Sequence, residues 1–261
     1  MIPKDFIEEW RENARWQNLV QVEQDLIISR ALVDLYNEPH VRESLVFRGG
    51  TALNKLFLKP SARYSEDIDF VQKRIEPIGK TIDAIREILK PWLGDPRWKI
   101  ARRNTTLIYR YEDVNKSPAR LKIEINTTEN FQVLPLRTEE FGVRSNWWNG
   151  RAKISTYEID ELMATKLRAL YQRRKGRDLF DLWYAAKNEM INLDRVFEIF
   201  AEYCTKDSLR FTKDEFLNNL ESKRGHRGFQ SDIYALLPAG SKWDFDEAYQ
   251  FVVDNIINRL P

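Results

Sequence analysis

The stretch from Val46 to Val71, VFRGGTALNKLFLKPSARYSEDIDFV, constrains the fold more than any other part of the chain, because it commits one short segment to strand, glycine corner, helix and second strand. The apolar run Leu45-Val46-Phe47 ends at Arg48-Gly49-Gly50-Thr51, after which Ala52, Leu53, Leu56 and Phe57 recur at helical spacing. Adjacent glycines allow a tight turn that brings backbone N–H groups close to a ligand, and a helix starting there adds unpaired donors and a positive dipole end. Gly49, Gly50 and Thr51, flanked by Arg48 and followed by Ser65, are therefore candidates for holding phosphate. At the far end, in Asp67-Ile68-Asp69-Phe70, the two-residue period of a strand puts both carboxylates on one face and the apolar pair on the other.

Two carboxylates about 4 Å apart repel by ~1 to 4 kcal/mol at effective dielectrics between water and protein surface. A hard divalent cation removes that repulsion. Mg²⁺, with Mn²⁺ as the other ion considered, takes oxygen ligands and shares itself between carboxylates and substrate phosphates, which the glycine corner would hold nearby. A glycine turn alone, or an acidic pair alone, is most often a solvated surface feature. Joined in this order, they point to a functional site for a divalent ion and phosphate.

The string FRGGTALNKLF…RYSEDIDFV resembles the AbiEii/AbiGii family of bacterial toxin nucleotidyltransferases, within the superfamily of DNA polymerase β type, and the likeness extends from VEQDLIISRAL to RDLFDLW. The resemblance implies transfer of a nucleoside monophosphate from an NTP (GTP, CTP or UTP) to an acceptor hydroxyl. It also implies RNA, the tRNA 3′ end included, as acceptor, and a cognate antitoxin of an abortive-infection system as partner.

Composition sets the outer bounds. A chain of 261 residues fits one large domain or two modest ones. Lys plus Arg number 42 against 40 for Asp plus Glu, so net charge says little about partners and local clustering must carry any nucleic-acid argument. The single cysteine, Cys204, excludes an internal disulfide and a thiolate metal cluster, and His40 and His226 stand too far apart in sequence to suggest a zinc site. The first residues lack an apolar leader and no run approaches a membrane span, so a cytoplasmic protein is expected.

The remaining chain divides by pattern. Residues 4–36 read as helices with a broad apolar face; Lys73 to Lys90 reads as another, ended by Pro91; Trp98 to Tyr111 contains a strand. Arg120 to Asn126 alternates cleanly, with Leu121, Ile123 and Ile125 on one side and Lys122, Glu124 and Asn126 on the other. An exposed edge strand would explain this, but the resemblance gives Glu124 a role as third carboxylate, with Asp67, Asp69 and Glu124 as metal ligands. SNWWNG at 145–150 reads as a turn and domain boundary, giving a nucleotidyltransferase core over 1–150 and a helical domain over 151–261.

In that second region Lys166 shares an apolar helical face with Leu162 and Leu170, so its ammonium needs an anion, a shifted pKa or a route to water. Gly176 is placed to end that helix and Asp178 to cap the next, with Asp181 one turn on. The resemblance instead enrols Lys166, Asp178 and Asp181 as catalytic, with Arg177 beside the nucleotide. Arg168, Arg173, Arg174, Lys175 and Arg177 form the densest basic cluster, a candidate RNA contact. Ser222 to Ser231 reads as a mobile basic loop, and Phe245 to Leu260 as a closing amphipathic helix. The fold class expected is α+β: a mixed sheet flanked by helices, then a helical C-terminal region. Rival readings are a small-molecule nucleotidyltransferase, a phosphotransferase using the same ions, and a module that binds GTP or RNA without turnover.

Overall fold

The computed structural model describes residues 2–260, in two compact units that divide between Tyr157 and Glu158. The first opens with helices α1 (Lys4–Trp10), α2 (Leu19–Asn37) and α3 (Pro39–Ser44). Strand β1 (Leu45–Arg48) runs into α4 (Gly49–Ala52), which continues as a π-helical turn to Phe57, and β2 (Asp67–Gln72) returns beside β1. Then come α5 (Gly79–Leu93) and strands β3 (Arg97–Ile100), β4 (Asn104–Glu112), β5 (Pro118–Asn126), β6 (Arg137–Arg144) and β7 (Asn149–Thr156).

These strands make one mixed sheet in the order β3-β4-β5-β2-β1-β7-β6. β2 runs parallel to β5 and antiparallel to β1, so the acidic strand lies inside the sheet with a neighbour on each side. β5 is likewise internal, which removes the edge-strand explanation of its alternation.

Helix α2 is buried on nearly every side, with Val22, Leu26, Val33 and also Ile28, Leu32 and Leu35 inaccessible, as its double apolar stripe requires. Its buried Asp25 is held by the indole N–H groups of Trp10 and Trp16 at 2.9 and 3.0 Å and by the Lys55 ammonium at 2.6 Å. Gln24 on the same helix donates to the backbone carbonyls of Glu66 and Arg120, tying the entry of β2 to β5.

Two expectations need correction in this unit. Pro91 does not end α5: it stands inside the last turn at the cost of one intrahelical hydrogen bond, and the helix stops at Gly94 with φ +74. SNWWNG is no domain boundary but the turn joining β6 to β7, closed by the Asn149 side chain on both the N–H and the carbonyl of Ser145. The Arg30 guanidinium of α2 lies 4.1 Å from the ring centre of Trp92 and 4.8 Å from that of Trp147, so the tryptophan turn belongs to the first unit's packing. β6 and β7 themselves were not anticipated.

The second unit is helical: α6 (Ile159–Gln172), α7 (Gly176–Lys187), α8 (Leu193–Lys206), α9 (Lys213–Arg224), α10 (Arg227–Ser231) and α11 (Phe245–Asn255). The segment expected to be a loop, Ser222 to Ser231, is instead the end of α9 and the whole of α10, anchored by the fully buried Phe229. Gly176 opens α7 rather than closing α6; a Cβ there would overlap the Phe229 carbonyl oxygen, so close packing explains the glycine. Asp178 is the third residue of α7, not its cap. Among the described residues, no helix is long and apolar enough to cross a membrane. The expected fold class, a mixed sheet with helices followed by a helical region, is what the structure shows.

Candidate active site

β1 hands the chain to the glycine corner at Arg48, whose backbone pairs with Asp69 across the antiparallel ladder. That register sets the corner over the acidic strand. Gly49 adopts φ +78, and a Cβ on it would overlap Asp69 Oδ2; a Cβ on Gly50 would lie 2.5 Å from Arg63 Nη2 and 3.1 Å from Ser65 Oγ. Both glycines are therefore required by space, and Gly49 by backbone conformation as well. Gly49→Ala should lower stability by about 1–3 kcal/mol, read as a fall in the urea midpoint, because the strained φ and the displaced carboxylate act together.

The carboxylates follow from the ladder between β2 and β5. Asp69 stands opposite Glu124 and Asp67 opposite Lys122, while Ile68, Phe70, Ile123 and Ile125 are buried on the other side. Asp67, Asp69, Lys122 and Glu124 thus share one face, half-buried. The Lys122 ammonium lies 2.8 Å from Asp67 Oδ2 and 3.5 Å from Glu124 Oε2. Burial by itself would lower the Lys122 pKa, but the hydrogen bond it donates to Asp67 and the charges of Asp67, Glu124 and Asp69 raise it. The sequence pattern put Lys122 on this face and gave it no role.

Among the described residues, no three His, Cys, Asp or Glu side chains converge as a ready-made metal site. The residues still suit a divalent ion in kind. Mg²⁺ is commonly met by one or two carboxylates with water and substrate phosphates completing the shell, and the ammonium beside Asp67 shows that this face calls for positive charge.

Around the corner the polar side chains are largely committed to holding its shape. The Thr51 hydroxyl is buried, hydrogen-bonded with Ser65 at 2.8 Å and donating to the Asp67 carbonyl, so it fixes the position of both residues. Arg48 is paired with Glu129 at 2.6 Å. Asn54 was missed by sequence reasoning: its amide donates to the Gly50 carbonyl and accepts from the N–H groups of Ala62 and Arg63, clamping the loop that leads to β2. Arg63, also missed, is 1% exposed and donates to the Tyr64 carbonyl. Asn54→Ala would leave those buried groups unpaired, and a loss of about 2 kcal/mol in chemical denaturation is expected.

Within the helical unit, Lys166 is buried and its ammonium lies 3.0 Å from Asp178 Oδ1 and 2.8 Å from Asp181 Oδ2. Arg173 forks onto Asp178 through Nε at 2.7 Å and Nη2 at 2.9 Å. Desolvation pushes the Asp178 pKa up, but Lys166 and Arg173 overcome it and hold the carboxyl well below the usual range. The basic cluster is less available than its sequence suggests: Arg168 is paired with Asp207 at 2.6 Å, Arg173 with Asp178, and Arg177 with Asp232 at 3.6 Å. Arg174 and Lys175 are exposed, as is Arg173 despite its pairing with Asp178.

Residues 30–251 match the model of the family described as "Nucleotidyl transferase AbiEii toxin, Type IV TA system". No curated protein gives a significant match. The fold is similar to MenT4, a nucleotidyltransferase toxin from Mycobacterium tuberculosis H37Rv, with TM-score 0.73 and 18% identity, covering 100% of this chain and 91% of that one. It is also similar to an H. pylori protein assigned as a nucleotidyltransferase, with TM-score 0.55 and 19% identity, covering 94% of this chain and 97% of that one. With a strand-borne acidic pair facing a diglycine corner, and a family match across most of its length, this chain belongs to the AbiEii nucleotidyltransferase toxins of type IV toxin-antitoxin systems.

Proposed function

We propose that the protein transfers a nucleoside monophosphate from an NTP to a hydroxyl of RNA, with the tRNA 3′ end as acceptor. The observation that carries the reading is the approach of the Gly49 corner to Asp69, on the face that also holds Asp67 and Glu124. Asp67 and Asp69 would hold Mg²⁺ or Mn²⁺, with Glu124 as the ligand on the acceptor side. Bound there, the ion would supply Lewis-acid stabilisation of phosphoryl charge and a lowered pKa for the attacking hydroxyl.

The chain's own groups do the rest. Backbone N–H groups at Gly49 and Gly50, free of any Cβ, can approach phosphate oxygens closely, and Thr51 keeps Ser65 at the corner's edge. Preorganised donors of this kind stabilise charge as it develops without having to reorganise. The proposal retains Lys166, Asp178 and Asp181 as residues that transfer requires and Arg177 as a nucleotide contact; their support is the family's motif and the cost of burying such charges.

Labelled NTP tests the assignment. α-Phosphate label entering RNA in the presence of Mg²⁺, with growth arrest on expression in bacteria, is the expected outcome. γ-Label in the product would establish phosphotransfer instead, and binding without pyrophosphate release would reduce the protein to a nucleotide-binding module. Sequencing of RNA 3′ ends after expression identifies the acceptor.

A further inference from the structure

We propose that Lys122 is the protein's own counter-cation at the catalytic carboxylates, and that it makes entry of a divalent ion depend on entry of a nucleotide. The inference rests on the assignment of Asp67 and Asp69 just made. Its basis is geometric. β5 is an internal strand, and the ladder sets Lys122 directly beside Asp67 and one position from the Asp69–Glu124 pair. Its ammonium reaches two carboxylates, at 2.8 and 3.5 Å, with only 26% of the side chain exposed. A lysine serving solubility has no need of such a position.

An ammonium and a hard divalent ion compete for the same oxygen lone pairs. An ion arriving alone must displace Lys122 from Asp67 and then leave a positive charge beside itself without an anionic partner, so it binds weakly. An ion arriving with a triphosphate brings phosphate oxygens to which the displaced ammonium can turn, and the opposing charge is relieved. Lys122 therefore discriminates between the free ion and the ion–nucleotide pair. Once displaced it becomes a phosphate contact, and it is a positioning residue for the carboxylates before that.

Mn²⁺ binding, followed by electron paramagnetic resonance, tests this with and without a nonhydrolysable α,β-methylene nucleoside triphosphate. In Lys122→Met, free Mn²⁺ should bind about 5- to 30-fold more tightly than in the parent protein, the range expected for one or two partly exposed ion pairs. The enhancement of Mn²⁺ binding by nucleotide should shrink by a similar factor, since coupling between two ligands is reciprocal. Lys122→Arg, which keeps the charge, should behave as the parent. Thermal melting gives a readout independent of turnover: without ions Lys122→Met should melt lower, and Mn²⁺ should raise its midpoint by more than it raises the parent's. Should that variant fail to fold, Lys122→Gln makes the same comparison.

Equal Mn²⁺ affinity in parent and neutral variant, both binding the ion, overturns the role of Lys122 while leaving the carboxylate assignment standing. Absence of Mn²⁺ binding in every protein, nucleotide included, overturns both.

Discussion

Replacing Asp67 or Asp69 with asparagine should lower transfer of the nucleoside monophosphate by about 10³-fold or more and leave the melting midpoint within a few degrees of the parent. The two effects separate because the side chains serve different ends. Asparagine has nearly the shape of aspartate, and both positions sit half-buried above a strand whose other face, Ile68 and Phe70, carries the packing. Asp67→Asn also releases Lys122 from its nearer partner, but a pair exposed to this degree contributes ~0–1 kcal/mol. Transfer, by contrast, would lose a carboxylate ligand of the ion that in the proposed reaction offsets phosphoryl charge, and about 4 kcal/mol of transition-state stabilisation corresponds to the stated factor. Asp67→Ala should abolish growth arrest together with transfer. Full incorporation of α-label by that variant with Mg²⁺ present would refute the catalytic reading.

What could be read from the sequence divides along the same physical line. Alternation fixed the faces: Asp67 with Asp69, Glu124 with Lys122, and the apolar residues opposite, all as the ladder later places them. Side-chain period cannot supply register, however, and only register reveals that Lys122 stands beside Asp67 rather than in solvent. Strands β6 and β7 escaped notice because apolar alternation is faint in both: most of RTEEFGVR is exposed, and the buried positions of NGRAKIST include the small or polar Ala152, Ser155 and Thr156 beside Ile154. The tryptophan turn between them looked like a boundary because its partner, Arg30, lies far away in the chain.

The same blindness to distant partners explains the helical unit. Gly176 resembles a helix terminator locally and is needed instead for contact with the Phe229 backbone. Arg168 and Arg177 look like free cations until Asp207 and Asp232 fold against them. Lys166 was the exception. A lysine on an apolar helical face announces that an anion must be found, and two were supplied from the next helix.

That pairing yields the largest expected loss of stability. Lys166→Met should destabilise the helical unit by about 3–5 kcal/mol, because it takes a close cation away from two carboxylates that folding has already desolvated. Asp178 retains Arg173, whereas the ammonium's departure removes a close partner from Asp181, and both carboxylates are fully buried. The double variant Lys166→Met, Asp181→Leu should recover part of the loss, since it removes the buried carboxylate that loses its Lys166 contact and leaves the Arg173 fork on Asp178 intact. Acid should expose the same cluster. The Asp178 pKa is depressed on folding, so its contribution is complete above the unfolded value of about 3.9 and fades only as pH falls toward the lower folded value. In Asp178→Asn, stability should accordingly change less with pH below about 4 than in the parent. Equilibrium denaturation at pH 7 and pH 3 measures all of these, and a Lys166→Met protein as stable as its parent would show that the buried carboxylates take up protons at little cost.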